Sequence, residues 1–197
     1  MVEPIRPIDP SHLSHTNRVL REAWEFLRIL LIALAIVIPV RYFIAQPFIV
    51  KGASMEPAYE ERDYLVIDEL SYYFREPARG EVVVFRFPDD PSEFFIKRVI
   101  GLPGETVIIE NGEVFISSGE ASKPRRLEER YLADELETSG RITQVLEPDE
   151  YFVLGDNRAY SKDSRSWGIL PQKNITGRVL IRVWPARTAG FAVAPAY

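Results

Sequence analysis

The sequence predicts a mainly β protein, an antiparallel β-sandwich or barrel, preceded by one transmembrane helix. Three observations carry this. A largely apolar segment lies near the N-terminus. Eight short runs rich in Val, Ile, Phe and Tyr follow it. No long segment of helical period occurs beyond residue 46.

The 197 residues suffice for an anchor and one domain with a sizeable core. Hydrophobic residues make up 46% of the chain, too few for a multi-span membrane protein. Net charge is -5. The first 45 residues are nearly neutral, so the acidic excess lies in the main domain, which argues against nucleic acid as a partner. Cysteine is absent, which removes thiol nucleophiles, thiolate metal sites and disulfides. The two histidines, His12 and His15, both precede the apolar segment. No metal site or cofactor is expected in the main domain.

Residues 1–22 read as a polar, Pro-containing tail, poorly ordered. Residues 23–45 read as the anchor. Its uncharged stretch Ile29–Val40 is too short to span alone. Leu27 to Ala45 is nineteen residues, about 28 Å at ~1.5 Å rise, and spans if Arg28 and Arg41 snorkel to the interfaces. Trp24 and Tyr42-Phe43 sit where interfacial aromatics belong. A buried core helix and a cleaved signal peptide are the other readings. The second lacks an Ala-x-Ala after the apolar region.

From residue 46 to 197 the domain reads as β. Its runs are Phe48–Val50, Tyr64–Ile67, Val82–Phe87, Phe94–Ile100, Thr106–Ile109, Val114–Ile116, Tyr151–Leu154 and Gly177–Trp184. Asn111-Gly112 between two of them signals a type I′ hairpin. Residues 117–147 are charged, lack strand alternation, and read as an insertion.

Candidate chemistry begins with Lys97. Phe95, Lys97 and Val99 share one strand face, and Phe94, Ile96, Arg98 and Ile100 the other. With both faces largely apolar, Lys97 loses hydration and its pKa falls, which is how a lysine becomes a general base. A carboxylate-paired or snorkelling lysine fits the same pattern. Ser54 sits in Lys51-Gly52-Ala53-Ser54-Met55-Glu56-Pro57, where small residues leave room for a substrate backbone and expose main-chain N–H donors. An ordinary turn serine fits it as well. If the apolar segment crosses a bilayer, both histidines lie opposite Ser54, and a Ser-His-Asp triad is excluded. A third segment, Gly155 to Gly168, is a polar loop in which Asp163 and Arg165 can pair.

Together these segments resemble bacterial type I signal peptidases. Ser54-Met55-Glu56-Pro57, Gly80-Glu81-Val82-Val83-Val84-Phe85, Ile96-Lys97-Arg98-Val99-Ile100-Gly101-Leu102-Pro103-Gly104 and Gly155 to Gly168 occur in that family's order. The N-terminal span and the closing Gly177-Arg178-Val179 with Trp184-Pro185 resemble it too, so the likeness covers about residues 25–187. It implies a membrane-bound serine protease with a Ser/Lys dyad, single-pass in the cytoplasmic membrane with its β domain outside. Such an enzyme removes signal peptides from exported preproteins. By position, Ser54 is the nucleophile, Lys97 the general base and Ser161 the hydroxyl that orients the lysine. Asp163 and Arg165 form a supporting ion pair, and the Ser54 N–H is one oxyanion donor.

Gly52 stands where many members carry a serine whose hydroxyl joins the oxyanion hole, so a main-chain donor or water must serve there. Phe48, Val50, Met55, Phe95 and Ile96 are expected to line shallow pockets for the small residues of an Ala-x-Ala site. Implied partners are preprotein signal peptides, the lipid bilayer and the export translocon. Two other readings share parts of the pattern. One is a self-cleaving Ser/Lys repressor, which needs a DNA-binding N-terminus. The other is an anchored β-domain that binds signal peptides or export machinery without cutting.

Overall fold

The computed structural model describes residues 11–39, 46–119, 122–133, 136–195 and 197, in two compact units, 1–42 and 43–197. The first contains helix α1, Ser11–Pro39. Its start differs from the expected boundary, because residues 11–22 are helical rather than a loose tail. Polar side chains one turn apart bridge that stretch, Arg18 to Glu22 and Arg21 to Glu25. Trp24, Phe26, Ile29, Leu31, Ile32, Ile36 and Val37 are all exposed. Among the described residues no helix is long and apolar enough to cross a membrane. Arg41, Tyr42, Phe43 and Ala45, the far end of the expected span, lie outside the described residues.

The second unit is antiparallel β throughout. Its strands are β1 (Gln46–Ile49), β2 (Tyr64–Asp68), β3 (Val82–Arg86), β4 (Phe94–Gly101), β5 (Glu105–Glu110), β6 (Glu113–Ser118), β7 (Arg125–Arg126), β8 (Ile142–Val145), β9 (Glu150–Leu154), β10 (Leu170–Pro171), β11 (Ile175–Trp184) and β12 (Gly190–Phe191). One sheet runs β1-β2-β11-β3-β4-β9-β10, with β12 also on β11, and the other runs β7-β6-β5-β8. Among the described residues of this unit the one α-helix, α2, spans Ser164–Trp167. All eight expected runs fall on strands, with Val50 and Phe87 just past the ends of β1 and β3. The Asn111-Gly112 turn has φ of 53° and 82°, as a type I′ hairpin requires. The charged insertion contributes β7 and β8 to the second sheet.

Apolar alternation builds three cores. Val50, Met55, Leu65, Ile67, Val84 and Val179 fill one face of the large sheet. Val83, Phe85, Val99, Tyr151, Val153 and Leu170 fill the other. Ile100, Val107, Ile109, Ile116, Leu146 and Phe152 join the two sheets.

Two features of this sheet position the site. Strand β3 pairs β4 from Phe94 to Arg98, but β9 first pairs it at Arg98↔Leu154. The β9 side of Phe94–Lys97 is therefore an open edge. In addition, three strands lie between β1 and β4 in the sheet, yet the rings of Phe48 and Phe94 meet edge-on at 5.5 Å. The sheet must curl strongly to bring them together. A cleft of about 640 Å³ lies between these two edges.

Candidate active site

Ser54 lies on the turn that follows β1. Val50 donates its N–H to the Asp63 carbonyl (3.0 Å) and accepts one from Arg62 (2.9 Å), which ties the turn's start to the approach to β2. Gly52 takes φ of +82°, a region glycine enters freely. Met55 is fully buried and pins the turn to the core. From the other side, the Asn157 N–H reaches the Ser54 carbonyl and its side-chain amide reaches the Ala53 carbonyl, both at 3.1 Å. The N–H groups of Gly52 and Ser54 donate to no group among the described residues.

Lys97 approaches from the open half of β4. Its Nζ is 2.7 Å from Ser54 Oγ and donates to the Ile96 carbonyl at 2.8 Å. The side chain is only 4% exposed. Burial pushes the ammonium pKa down from 10.5 to about 8, against the opposing pull of Asp163 and Asp156. Neither carboxylate pairs with it directly, because each already has a guanidinium. An amine in this state can take the proton of the neighbouring hydroxyl near neutral pH.

Asp163 accepts from the Gly155 N–H at 3.0 Å and from Arg165 Nε and Nη2 at 2.8 and 2.9 Å, and it also caps α2 through the Arg165 N–H. Burial opposes its ionisation, but these bonds outweigh burial and hold its carboxyl below the usual range. Ser164 Oγ accepts the Val153 N–H at 3.0 Å and fastens the loop to β9. Ser161 Oγ is buried and has no hydrogen-bond partner among the described residues. It packs against Gly155, where any Cβ would collide with Ser161 and with the Ser54 carbonyl. Glycine is thus required for the loop to close on the turn that carries Ser54.

The expected pocket residues divide. Phe48, Val50 and Ile96 line the cleft with Leu65 and Val84, which the sequence did not single out. Phe95 also lines it but belongs to the core on the opposite sheet face. Met55 lies behind the wall rather than in it. A further brace was illegible in the sequence. Buried Arg158 bonds Glu129 at 2.8 and 2.5 Å, Tyr131 at 3.2 Å, Thr138, and the Gly155 carbonyl at 3.1 Å. The insertion therefore holds the Gly155–Gly168 loop from outside. Among the described residues no group of three or more His, Asp or Glu side chains is placed to hold a metal ion.

A sequence model of the family described as "Signal peptidase, peptidase S26" matches residues 23–184. A probable signal peptidase I-1 of Synechocystis is 37% identical over 186 residues, covering 88% of this chain and 91% of that one. A signal peptidase I of Leptolyngbya laminosa is 37% identical over 81% of this chain and 78% of its own length. One from Pseudomonas aeruginosa is 32% identical over 77% and 68%. With the family model over most of its length and relatives 37% identical over most of both chains, the chain belongs to the signal peptidase family, peptidase S26, as a serine endopeptidase.

Proposed function

We propose that this endopeptidase removes N-terminal signal peptides from exported preproteins with Ser54 as nucleophile and Lys97 as general base. The 2.7 Å approach of a buried, unpaired amine to a serine hydroxyl at the end of an open cleft carries this reading. Neutral Lys97 takes the Ser54 proton as Oγ attacks the scissile carbonyl. The Ser54 and Gly52 N–H groups face the developing oxyanion. Protonated Lys97 then gives its proton to the leaving amine, and the acyl-enzyme remains on Ser54. Lys97 next takes a proton from water, whose oxygen attacks the ester and frees Ser54. Ser161, whose Oγ makes no hydrogen bond to Lys97 in this structure, is assigned to orient the amine once substrate is bound, and the Asp163–Arg165 pair holds the loop that carries Ser161.

The substrate binds extended along the open edge of β4 and beside β1. Its small residues, as in Ala-x-Ala, face the wall of Phe48, Val50, Leu65, Val84 and Ile96. The span of residues 23–45 anchors the chain in the cytoplasmic membrane, with the β domain on the outer side and near the translocon. Exposed Ile49, Tyr64 and Trp184 stand in register across β1, β2 and β11, and this apolar row rests on the bilayer.

The test is incubation of the full chain in detergent with a preprotein bearing an Ala-x-Ala site, beside Ser54→Ala and Lys97→Met. Wild type cleaves after the second Ala, and both variants lose at least about 10³-fold in rate while remaining folded. Cleavage persisting in Lys97→Met overturns the base assignment. No cleavage by any folded form favours the domain that binds without cutting.

A further inference from the structure

Lys162 is a cation of the cleft that the chemistry above does not use. It belongs to the loop between β9 and α2 and lines the same cleft as Ser54 and Phe94–Lys97. Its Nζ stands 4.2 Å from the Phe87 ring centre and 5.8 Å from that of Phe95. Those two rings are stacked 4.5 Å apart with planes 9° off parallel, and Trp167 meets Phe87 edge-on at 5.9 Å. The ammonium thus sits on a fixed aromatic platform, held by the ring faces. Among the described residues no carboxylate pairs with it. Its neighbour Asp163 is already taken by Arg165 and the Gly155 N–H.

Strand alternation decides what this cation meets. Phe95 and Lys97 lie on one face of β4, Phe94 and Ile96 on the other. A strand added at the open edge of Phe94–Lys97 inherits that alternation, because cross-strand neighbours share a face. In a small-x-small segment the two small residues face the Ile96 side, where the wall of Phe48, Val50, Leu65 and Val84 is close. The middle residue then faces the Phe95 side, where Lys162 waits unneutralised.

We infer that Lys162 reads the middle residue of the small-x-small segment, favouring Asp or Glu there and disfavouring Lys or Arg. This rests on the signal-peptidase reading of the site. Lys162 is exposed, so the attraction of opposite charges is modest and screened by salt, but the ammonium is already oriented over the rings and little side-chain freedom is lost on pairing.

The experiment compares one preprotein carrying Glu, Gln or Lys between its two small residues, cleaved by wild type, Lys162→Gln and Lys162→Glu. The readout is the Glu-to-Lys ratio of kcat/KM within each enzyme form, so a general change in rate cancels. Wild type should favour Glu over Lys by roughly fivefold, Lys162→Gln by about onefold, and Lys162→Glu should invert the order. The wild-type ratio should shrink as salt rises from about 0.1 M to about 1 M, where the Debye length falls from about 10 Å to about 3 Å. A flat ratio in wild type, or one that Lys162 variants leave unchanged, overturns this inference alone, provided the Gln substrate is cut. A Gln substrate left uncut by folded wild type overturns the signal-peptidase reading and this inference with it.

Discussion

Lys97 and Arg98 leave β4 on opposite faces, both nearly inaccessible to water, and their surroundings treat charge in opposite ways. Arg98 meets Asp156 at 2.8 and 2.5 Å, donates to the Gly80 carbonyl at 2.8 Å and lies 4.3 Å from the Tyr131 ring centre. Burial works against its charge, but Asp156 more than offsets this and raises its pKa above the ordinary value. Lys97 meets a hydroxyl, a carbonyl and, at 5.4 Å, the Phe95 ring, but no carboxylate, and burial prevails. The same depth in one strand yields a permanent cation where a carboxylate is in contact and a titratable amine where it is withheld. The fold supplies Asp156 and Asp163 near Lys97 but commits each to an arginine, so the amine stays unpaired.

That contrast can be broken from the Arg98 side with the largest effect on stability. Asp156→Asn leaves Arg98 buried beside a neutral amide and should cost about 3–5 kcal/mol, seen as a lower denaturation midpoint at unchanged slope. A loss below 1 kcal/mol would mean that the Gly80 carbonyl and the Tyr131 ring suffice for Arg98.

On the Lys97 side, pH sharpens the comparison. Its folded pKa is depressed, so between about pH 8 and 10.5 the unfolded chain keeps a proton that the folded chain has released. Stability of wild type relative to Lys97→Met should therefore climb with pH across that window, by about 3 kcal/mol, and be flat below it. Activity should rise through about pH 8 as the amine deprotonates. A difference in stability that does not vary with pH would show that Lys97 keeps its ordinary affinity for the proton.

Ser161→Ala should show the smallest effect on stability. Its hydroxyl has no partner to lose, so the change should stay below about 1 kcal/mol while kcat falls and KM holds. Unchanged kcat would remove Ser161 from the orientation of the amine.

The strands that carry the site were legible because their side chains alternate or run apolar on both faces, as in Val82–Arg86 and Phe94–Gly101. Strand β7 was not, since Arg125 and Arg126 are both exposed and form a strand only by pairing with β6. In β8 the pattern misleads, because Val145 points outward. Local pattern alone did not separate Ser54 or Lys97 from a turn serine and an edge lysine. The order of four boxes along the chain points to them by resemblance to the family. The Glu129–Arg158 contact joins residues 29 apart across an insertion with no period, so nothing local announces it. Met55, expected in the pocket, is instead fully buried in the core behind the cleft wall.

The open edge of β4 is four residues long, about 13 Å of extended chain. An edge of that length can take the measure of only a few consecutive residues, so the information it extracts from any partner is small. One such site can therefore serve many clients whose sequences agree nowhere else. The demand for an extended backbone supplies the missing discrimination: a folded domain, whose strands are already paired and whose helices hide their amides, has no free segment to offer.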